Sequence, residues 1–313
     1  MMKSLDEQMR ALLDGLARDV EPVPEDVTPE IARHLYRERL KHFAADDVAI
    51  GRVEELEIEG PAGVIPARLY VPVAAGARSS AVVYYHGGGW SLGSLDTHDR
   101  IYRTLANDSG SRVIGVGYRR APEHSFPAAV DDAYAAAVWV EDNASTLDID
   151  PGRIAVAGDS SGGNLAAVVA RRVRDMGGPR LAFQLLFYPS TDVVNRRASY
   201  ETFSEGFYLD SQTMEWFVSQ YLPDEKDRSD PAASPLLAED LSNLPPACIV
   251  TASHDMLLDE GKAYADALKE AGVTVEYRVC EGLVHGFLFF QGAVAAAREG
   301  ARDAALVLTD ALR

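Results

Sequence analysis

Cysteine is close to missing from this chain. Its 313 residues hold two, Cys248 and Cys280. Each lies in a strand-like apolar run and reads as a small buried hydrophobe, which argues against a disulfide framework, a metal site or a redox pair. No C-x-x-C or H-E-x-x-H pattern occurs, so no metal is expected. Basic residues are also scarce: 30 Lys and Arg face 48 Asp and Glu, for a net charge of −18. Counterion release needs clustered Lys and Arg, and there is no basic block, so neither nucleic acid nor an anionic membrane surface is an expected partner. The acid excess reads as solubility through mutual repulsion. No apolar run approaches the length of a membrane span. Asp6, Glu7, Arg10 and Asp14 interrupt the first turns, so the N-terminus lacks the apolar centre of a signal peptide. The expectation is a soluble cytoplasmic protein with no stable membrane insertion. Internal repeats and low-complexity tracts are absent too.

What is present is apolar material for a large core: 47% of the residues are hydrophobic. At this length one large α/β domain, or a core with an added subdomain, is expected. Residues 154–172 organise the rest. Ile154-Ala155-Val156-Ala157 is a short apolar run suited to a buried strand. Residues 164–172 are rich in helix formers. Between them Gly158-Asp159-Ser160-Ser161-Gly162 spells G-x-S-x-G. A nucleophile at so sharp a strand-to-helix turn needs small neighbours two residues to either side. The helix behind it aims free N–H groups at the reacting position.

Residues 1–45 read as helical. Ser4 and Glu7 fit a capping box, and Leu5, Met9, Leu12, Leu13 and Leu16 make one apolar stripe. Pro22 and Pro24 break this helix, and Thr28-Pro29 starts another with Ile31, Leu35 and Leu40 apolar. Such helices either pack on the main domain or form a lid over it. Period-two alternation then predicts two antiparallel strands around Gly60-Pro61-Ala62-Gly63, carrying Val53, Leu56 and Ile58, then Ile65, Ala67, Leu69 and Val71. Further strands are expected at 81–85, 112–118, 154–157, 181–188, 247–252 and 274–279. Helices are expected at 97–107, 127–142, 162–175, 256–271 and 293–312. This alternation predicts an α/β fold with a mostly parallel sheet covered on both faces. It lapses between 190 and 244, a stretch holding Tyr200, Phe203, Phe207, Tyr208, Trp216, Phe217 and Tyr221 and one helix after Asp210. The expected division is 1–45 and 190–244 as a composite cap, with 46–189 and 245–313 as the core.

A serine nucleophile needs a base for its proton and donors for the oxyanion. Of seven histidines (His34, His42, His86, His98, His124, His254 and His285), His285 follows the last strand, in the glycine-flanked run Glu281-Gly282-Leu283-Val284-His285-Gly286-Phe287. Loops after the carboxyl ends of parallel strands gather at one rim, where Ser160 also lies. The order Ser, Asp, His points to the same residue. Asp255 follows the strand at 247–252 and is the preferred partner acid. Asp259, one helical turn on, is its rival, and His254 reads as loop packing. Gly87-Gly88-Gly89 ends a strand with a backbone open to close approach, so the N–H groups of Gly88, Gly89 and Ser161 are the candidate oxyanion donors. Phosphate cradling is the competing use of a glycine run, but no Gly-Lys-Ser/Thr or G-x-G-x-x-G setting accompanies it.

His86-Gly87-Gly88-Gly89-Trp90, the run from Tyr118-Arg119-Arg120-Ala121-Pro122-Glu123-His124 to Ala128, and Gly158-Asp159-Ser160-Ser161-Gly162-Gly163 together resemble the hormone-sensitive-lipase-like family (bacterial family IV) of carboxylesterases. The likeness in order and spacing runs from about residue 50 to the end. It implies an α/β-hydrolase fold with a helical cap, Ser160 as nucleophile, His285 as base, Asp255 as its partner, and Gly88, Gly89 and Ser161 as oxyanion donors. His86 and Asp159 become supports for the loop and elbow. Three positions depart from the family's pattern: Arg120 stands for the usual leucine, Ser161 for alanine and Met256 for the proline after the acid. The implied reaction is two-step hydrolysis of a small-molecule ester of short-to-medium acyl chain, with no cofactor. Phe203, Phe207, Tyr208 and Trp216 are candidate pocket residues. An amidase or peptidase with the same triad, or a non-catalytic ligand-binding relative, are the alternatives. The resemblance makes a homodimer through the strand at 274–279 one option for assembly.

Overall fold

The computed structural model describes residues 4–19, 28–41, 43, 48–76 and 78–313. The Pro22 and Pro24 break and His42 lie outside them. The chain opens with two helices, α1 (Glu7–Asp19) and α2 (Pro29–Lys41). The antiparallel pair β1 (Arg52–Gly60) and β2 (Gly63–Val71) follows, in register from Arg52 with Val71 to Gly60 with Gly63. Then come β3 (Ser79–Tyr85), α3 (Leu95–Ser109), β4 (Arg112–Val116), α4 (Ala128–Asp142), β5 (Ile149–Asp159), α5 (Ser161–Met176) and β6 (Phe183–Phe187). A less regular stretch holds α6 (Ala198–Thr202) and α7 (Ser211–Tyr221), and β7 (Ala247–His254), α8 (Leu258–Glu270), β8 (Val275–Val284) and α9 (Ala295–Ala311) complete the chain.

The eight strands form one sheet in the order β1-β2-β4-β3-β5-β6-β7-β8, parallel from β4 to β8 and antiparallel at the β1 end. This is the α/β-hydrolase fold that the motifs imply. The inner strands β3, β4, β6 and β7 are buried along their whole length, as unbroken apolar runs must be when helices cover both faces. Side chains alternate between two cores. Val83, Tyr85 and Val156 face α4 and α5, while Val82, Tyr84, Ala155 and Ala157 face α3 and α9. Met9 of α1 and Leu40 of α2 join the second core. The edge strand β1 shows Glu54, Glu55, Glu57 and Glu59 outward, and such charge discourages further strand pairing.

Four elements differ from the sequence reading. The Ser4–Glu7 capping box does not form: α1 starts at Glu7, and Asp6 Oδ1 accepts from the N–H groups of Gln8 and Met9 at 2.9 and 3.0 Å. The Asp6 N–H is itself tied to the Gly282 carbonyl at 3.0 Å, which sets where the helix begins. Strand β5 starts five residues early, at Ile149, because that residue pairs with Ser79 beyond a shift in register. Strand β8 runs on through Val284: Cys280 pairs with Ala252 and Val284 with His254, so a bulge with Gly282 at φ +76° absorbs what reads as a loop. Between 190 and 244, α6 adds a second helix to the expected one after Asp210, whose Oδ1 caps α7 by accepting from Thr213 N–H at 2.6 Å.

Candidate active site

Strand β5 delivers Ser160 directly onto the start of α5, at φ 56° and ψ −119°. A non-glycine residue there carries about 1–3 kcal/mol of strain, which its surroundings must hold. They do so by close packing: a Cβ at Gly162 would run into the Tyr85 carbonyl oxygen, and Ser160 N–H donates to the Phe187 carbonyl at 2.9 Å. The hydroxyl of Ser160 lies 2.9 Å from His285 Nε2, and His285 Nδ1 lies 2.8 Å from Asp255 Oδ2. His285 follows the last residue of β8, and Asp255 the last residue of β7. The second carboxylate oxygen of Asp255 accepts from Leu257 N–H at 2.9 Å, which fixes the rotamer. With Nδ1–H donated to Asp255, Nε2 is the nitrogen free to take the Ser160 proton.

The rival groups are engaged elsewhere. Asp259 Oδ2 accepts from Ser199 N–H at 2.8 Å, inside α8. His254 has its ring between Phe203 and Phe207, at 5.5 and 5.7 Å between centroids, and burial lowers its basicity. His34 and His124 are exposed. Burial pushes His86 down to about 3, so it is neutral; it stacks on Tyr118 and donates from Nδ1 to the Gly87 carbonyl at 2.9 Å.

Beyond β3 the glycine run turns sharply, with Gly88 at φ +109° and Gly89 at +58°. The Gly88 carbonyl accepts from Ser91 and Leu92 N–H groups at 3.1 and 2.8 Å. The N–H groups of Gly88, Gly89 and Ser161 have no acceptor among the described residues. The run is stapled to the elbow by Asp159, whose Oδ1 accepts from Gly87 N–H at 3.0 Å and from Tyr84 Oη–H at 2.9 Å. Burial alone would raise the Asp159 carboxyl, but buried His98, Tyr84 and Gly87 hold it below its ordinary value. His98 is a site residue that sequence reasoning missed, since a histidine inside α3 carries no sign of its partner.

Arg120, one of the three departures from the family's pattern, has a place here: its Nη1 donates to the Gly93 carbonyl at 2.6 Å, bracing the turn behind the glycines. Arg33 of α2 braces the same region. Its Nε donates to the Ser91 carbonyl at 2.8 Å, and Nη2 to that of Ala121 at 2.9 Å. Both Nη atoms also bind Glu123, at 2.7 and 2.6 Å, and this pairing holds the Glu123 carboxyl at about 2.

The four pocket candidates separate. Tyr208 lies against Gly286, the neighbour of His285: a Cβ there would sit 3.0 Å from Tyr208 Cε1. Phe203 and Phe207 pack edge to face with each other and close around His254 rather than around Ser160. Trp216 packs half-buried against the core beside Phe217. The aromatic on the glycine run is Phe217 itself: a Cβ on Gly89 would strike its ring. Neighbouring positions on one helix point about 100° apart, so the burial of Trp216 says nothing of what Phe217 touches. Among the described residues no cluster of His, Cys, Asp or Glu is arranged to hold a metal, and no helix is long and apolar enough to cross a membrane.

Residues 82–289 match a family with the α/β hydrolase fold. The carboxylic ester hydrolase LipN of Mycobacterium tuberculosis is 50% identical over 242 residues, 75% of this chain and 64% of LipN. Carboxylesterase NlhH of the same organism is 45% identical over 296 residues, 88% of this chain and 92% of NlhH. The crystallised hyperthermophilic esterase of Pyrobaculum calidifontis superposes with a TM-score of 0.92 at 43% identity, covering 98% of this chain and 99% of that one. With that likeness over nearly the whole length, the chain belongs to the α/β-hydrolase fold family and, within it, to the hormone-sensitive-lipase-like carboxylic ester hydrolases.

Proposed function

We propose that the enzyme hydrolyses small esters of short-to-medium acyl chain through an acyl-enzyme on Ser160. The observation that carries this reading is the unbroken chain of contacts from Ser160 Oγ to His285 to Asp255. His285 Nε2 takes the hydroxyl proton as Oγ attacks the ester carbonyl, and Asp255 stabilises the imidazolium that forms. The negative oxygen is received by the N–H groups of Gly88, Gly89 and Ser161. Their lack of other acceptors supports this role, and fixed donors need no reorganisation as charge develops. His285 gives the proton to the leaving alcohol as the ester C–O bond breaks. It then takes one from the water that attacks the acyl carbon and passes it to Ser160 Oγ as the acyl–Oγ bond breaks and the acid leaves. No step calls on a cofactor.

Helices α1 and α2 and the 190–244 stretch form a cap in this reading. Arg33 supports it by tying α2 to the turn behind the glycine run, and Phe217 by lying on Gly89. Tyr208 and Phe217 are the aromatics that bound the substrate. The direct test is Ser160→Ala assayed on p-nitrophenyl butyrate. The expected result is loss of turnover by about a thousandfold or more in a protein that melts like wild type. Retention of about a tenth of the activity rejects Ser160 as nucleophile.

A further inference from the structure

Strand β6 lies between the strand that carries the nucleophile and the strand that carries the acid, and the segment leaving it, residues 188–193, is bonded to both sides. Ser190 N–H donates to the Ser160 carbonyl at 3.3 Å. Asn164, in the first turn of α5, donates from Nδ2 to the carbonyls of Ser190 at 2.9 Å and Ala233 at 2.8 Å. Thr191 turns the other way, onto α8. Its N–H donates to Glu260 Oε1 at 2.7 Å, and its hydroxyl to the Glu260 carbonyl at 3.0 Å. Helix α8 in turn grows out of the acid's own turn, where the Asp255 carbonyl accepts from Leu258 N–H at 3.1 Å. The segment is thus a strap, tied at one end to the backbone of Ser160 and at the other to α8, the helix that follows the Asp255 turn.

Glu260 is only 5% exposed. Burying a carboxyl costs free energy that a leucine in its place would not, so the contact it makes needs a reason. We propose that Glu260 is a positioning residue, setting through Thr191 the separation between the Ser160 elbow and the Asp255 turn; this rests on the esterase reading above.

The ionisation state of Glu260 follows from its surroundings. Asp192 of the strap, Arg196 just beyond it, Tyr200 of α6, Glu215 of α7 and Arg228 of the 3-10 turn at Glu225–Ser229 line with it a cavity of about 100 Å3. Each nearby cation already has its own carboxylate: Arg196 pairs with Glu215, Arg197 with Asp192 and Arg228 with Glu225. Burial, with Asp192 and Asp255 adding negative charge, pushes the Glu260 carboxyl up to about 8. The neutral acid therefore holds the strap in the neutral range. Ionisation sets an uncompensated charge beside Asp192 and Asp255 and draws water into the contact.

The test compares kcat and KM on p-nitrophenyl butyrate, from about pH 6 to about pH 10, for wild type, Glu260→Gln, Glu260→Ala and Thr191→Val. Glutamine offers Thr191 the same oxygen and cannot ionise. It is expected within about threefold of wild-type kcat at neutral pH, and free of the alkaline decline expected of wild type near pH 8. Alanine is expected to lower kcat about tenfold or more with KM little changed, and Thr191→Val to lower it in the same direction. Identical alkaline limbs in wild type and Glu260→Gln overturn the proposal, as does a folded Glu260→Ala with wild-type kcat. If the alanine variant does not fold, the glutamine profile decides. A wild type with no ester turnover would instead defeat the esterase reading itself.

Discussion

The carboxylate of Asp159 accepts a hydrogen bond from the Gly87 N–H at 3.0 Å, so the residue before Ser160 holds the glycine run that faces it. Elbow and glycine run are one unit through this contact, with Tyr84 and His98 completing it. Asp159→Ala should leave substrate binding nearly intact while lowering kcat by about ten- to a hundredfold, because a loosened run no longer aims its donors. Steady-state kinetics measures this. An unchanged kcat in a folded variant would show that Gly88 and Gly89 hold their places without the staple.

Phe217 gives a second expectation. Its ring lies on Gly89, and in the proposed mechanism it limits the room beside the scissile bond. Phe217→Ala should move the preference toward longer or bulkier esters, by about ten- to a hundredfold in relative kcat/KM, while Trp216→Ala leaves the order of preference alone. A chain-length series on both variants distinguishes them. The reverse outcome would put the pocket on the other face of α7.

The acid can be assigned by exchange of amide for carboxylate. Asp255→Asn should lower kcat by about a thousandfold or more, since the amide no longer stabilises the imidazolium. Asp259→Asn should stay within about threefold, because an amide oxygen still accepts from Ser199 N–H. Equal losses at the two positions would reject Asp255 as the partner of His285.

Arg33 predicts a pH dependence of stability. The Glu123 carboxyl is held at about 2, below its ordinary 4.5. Its contribution is therefore complete above about pH 4.5 and declines as the pH falls toward about 2. Arg33→Ala should lower Tm at neutral pH, and the gap to wild type should narrow as the pH falls below about 4.5. Thermal melts across that range test it. A gap that is constant with pH would mean that the carbonyl bonds to Ser91 and Ala121 carry the whole effect.

Much of this architecture is legible in the sequence because the sheet is parallel. Strands such as β3 and β7, covered on both faces, must be unbroken apolar runs, and such runs are easy to see. Ser160, Asp255 and His285 each follow the end of a strand, so placing the strands brings the three side chains to one rim. What escapes is set by long-range contact. The bulge at Gly282 reads as a loop because its partner bonds come from β7 and from Asp6. The choice of Asp6 over Ser4 as cap depends on that same tether. His98 lies eleven positions from Gly87 and sixty-one from Asp159, and only the fold joins the three. The departure at Arg120 acquires meaning only beside the Gly93 carbonyl, which no local pattern announces.

One measurement reaches the nucleophile without any choice of substrate. A fluorophosphonate incubated with the wild-type enzyme should form a single covalent adduct, and peptide mass spectrometry should locate it on Ser160. The adduct should be absent in Ser160→Ala and form about a hundredfold or more slowly in His285→Ala. Labelling of another serine, or a rate untouched by loss of the imidazole, would contradict the triad.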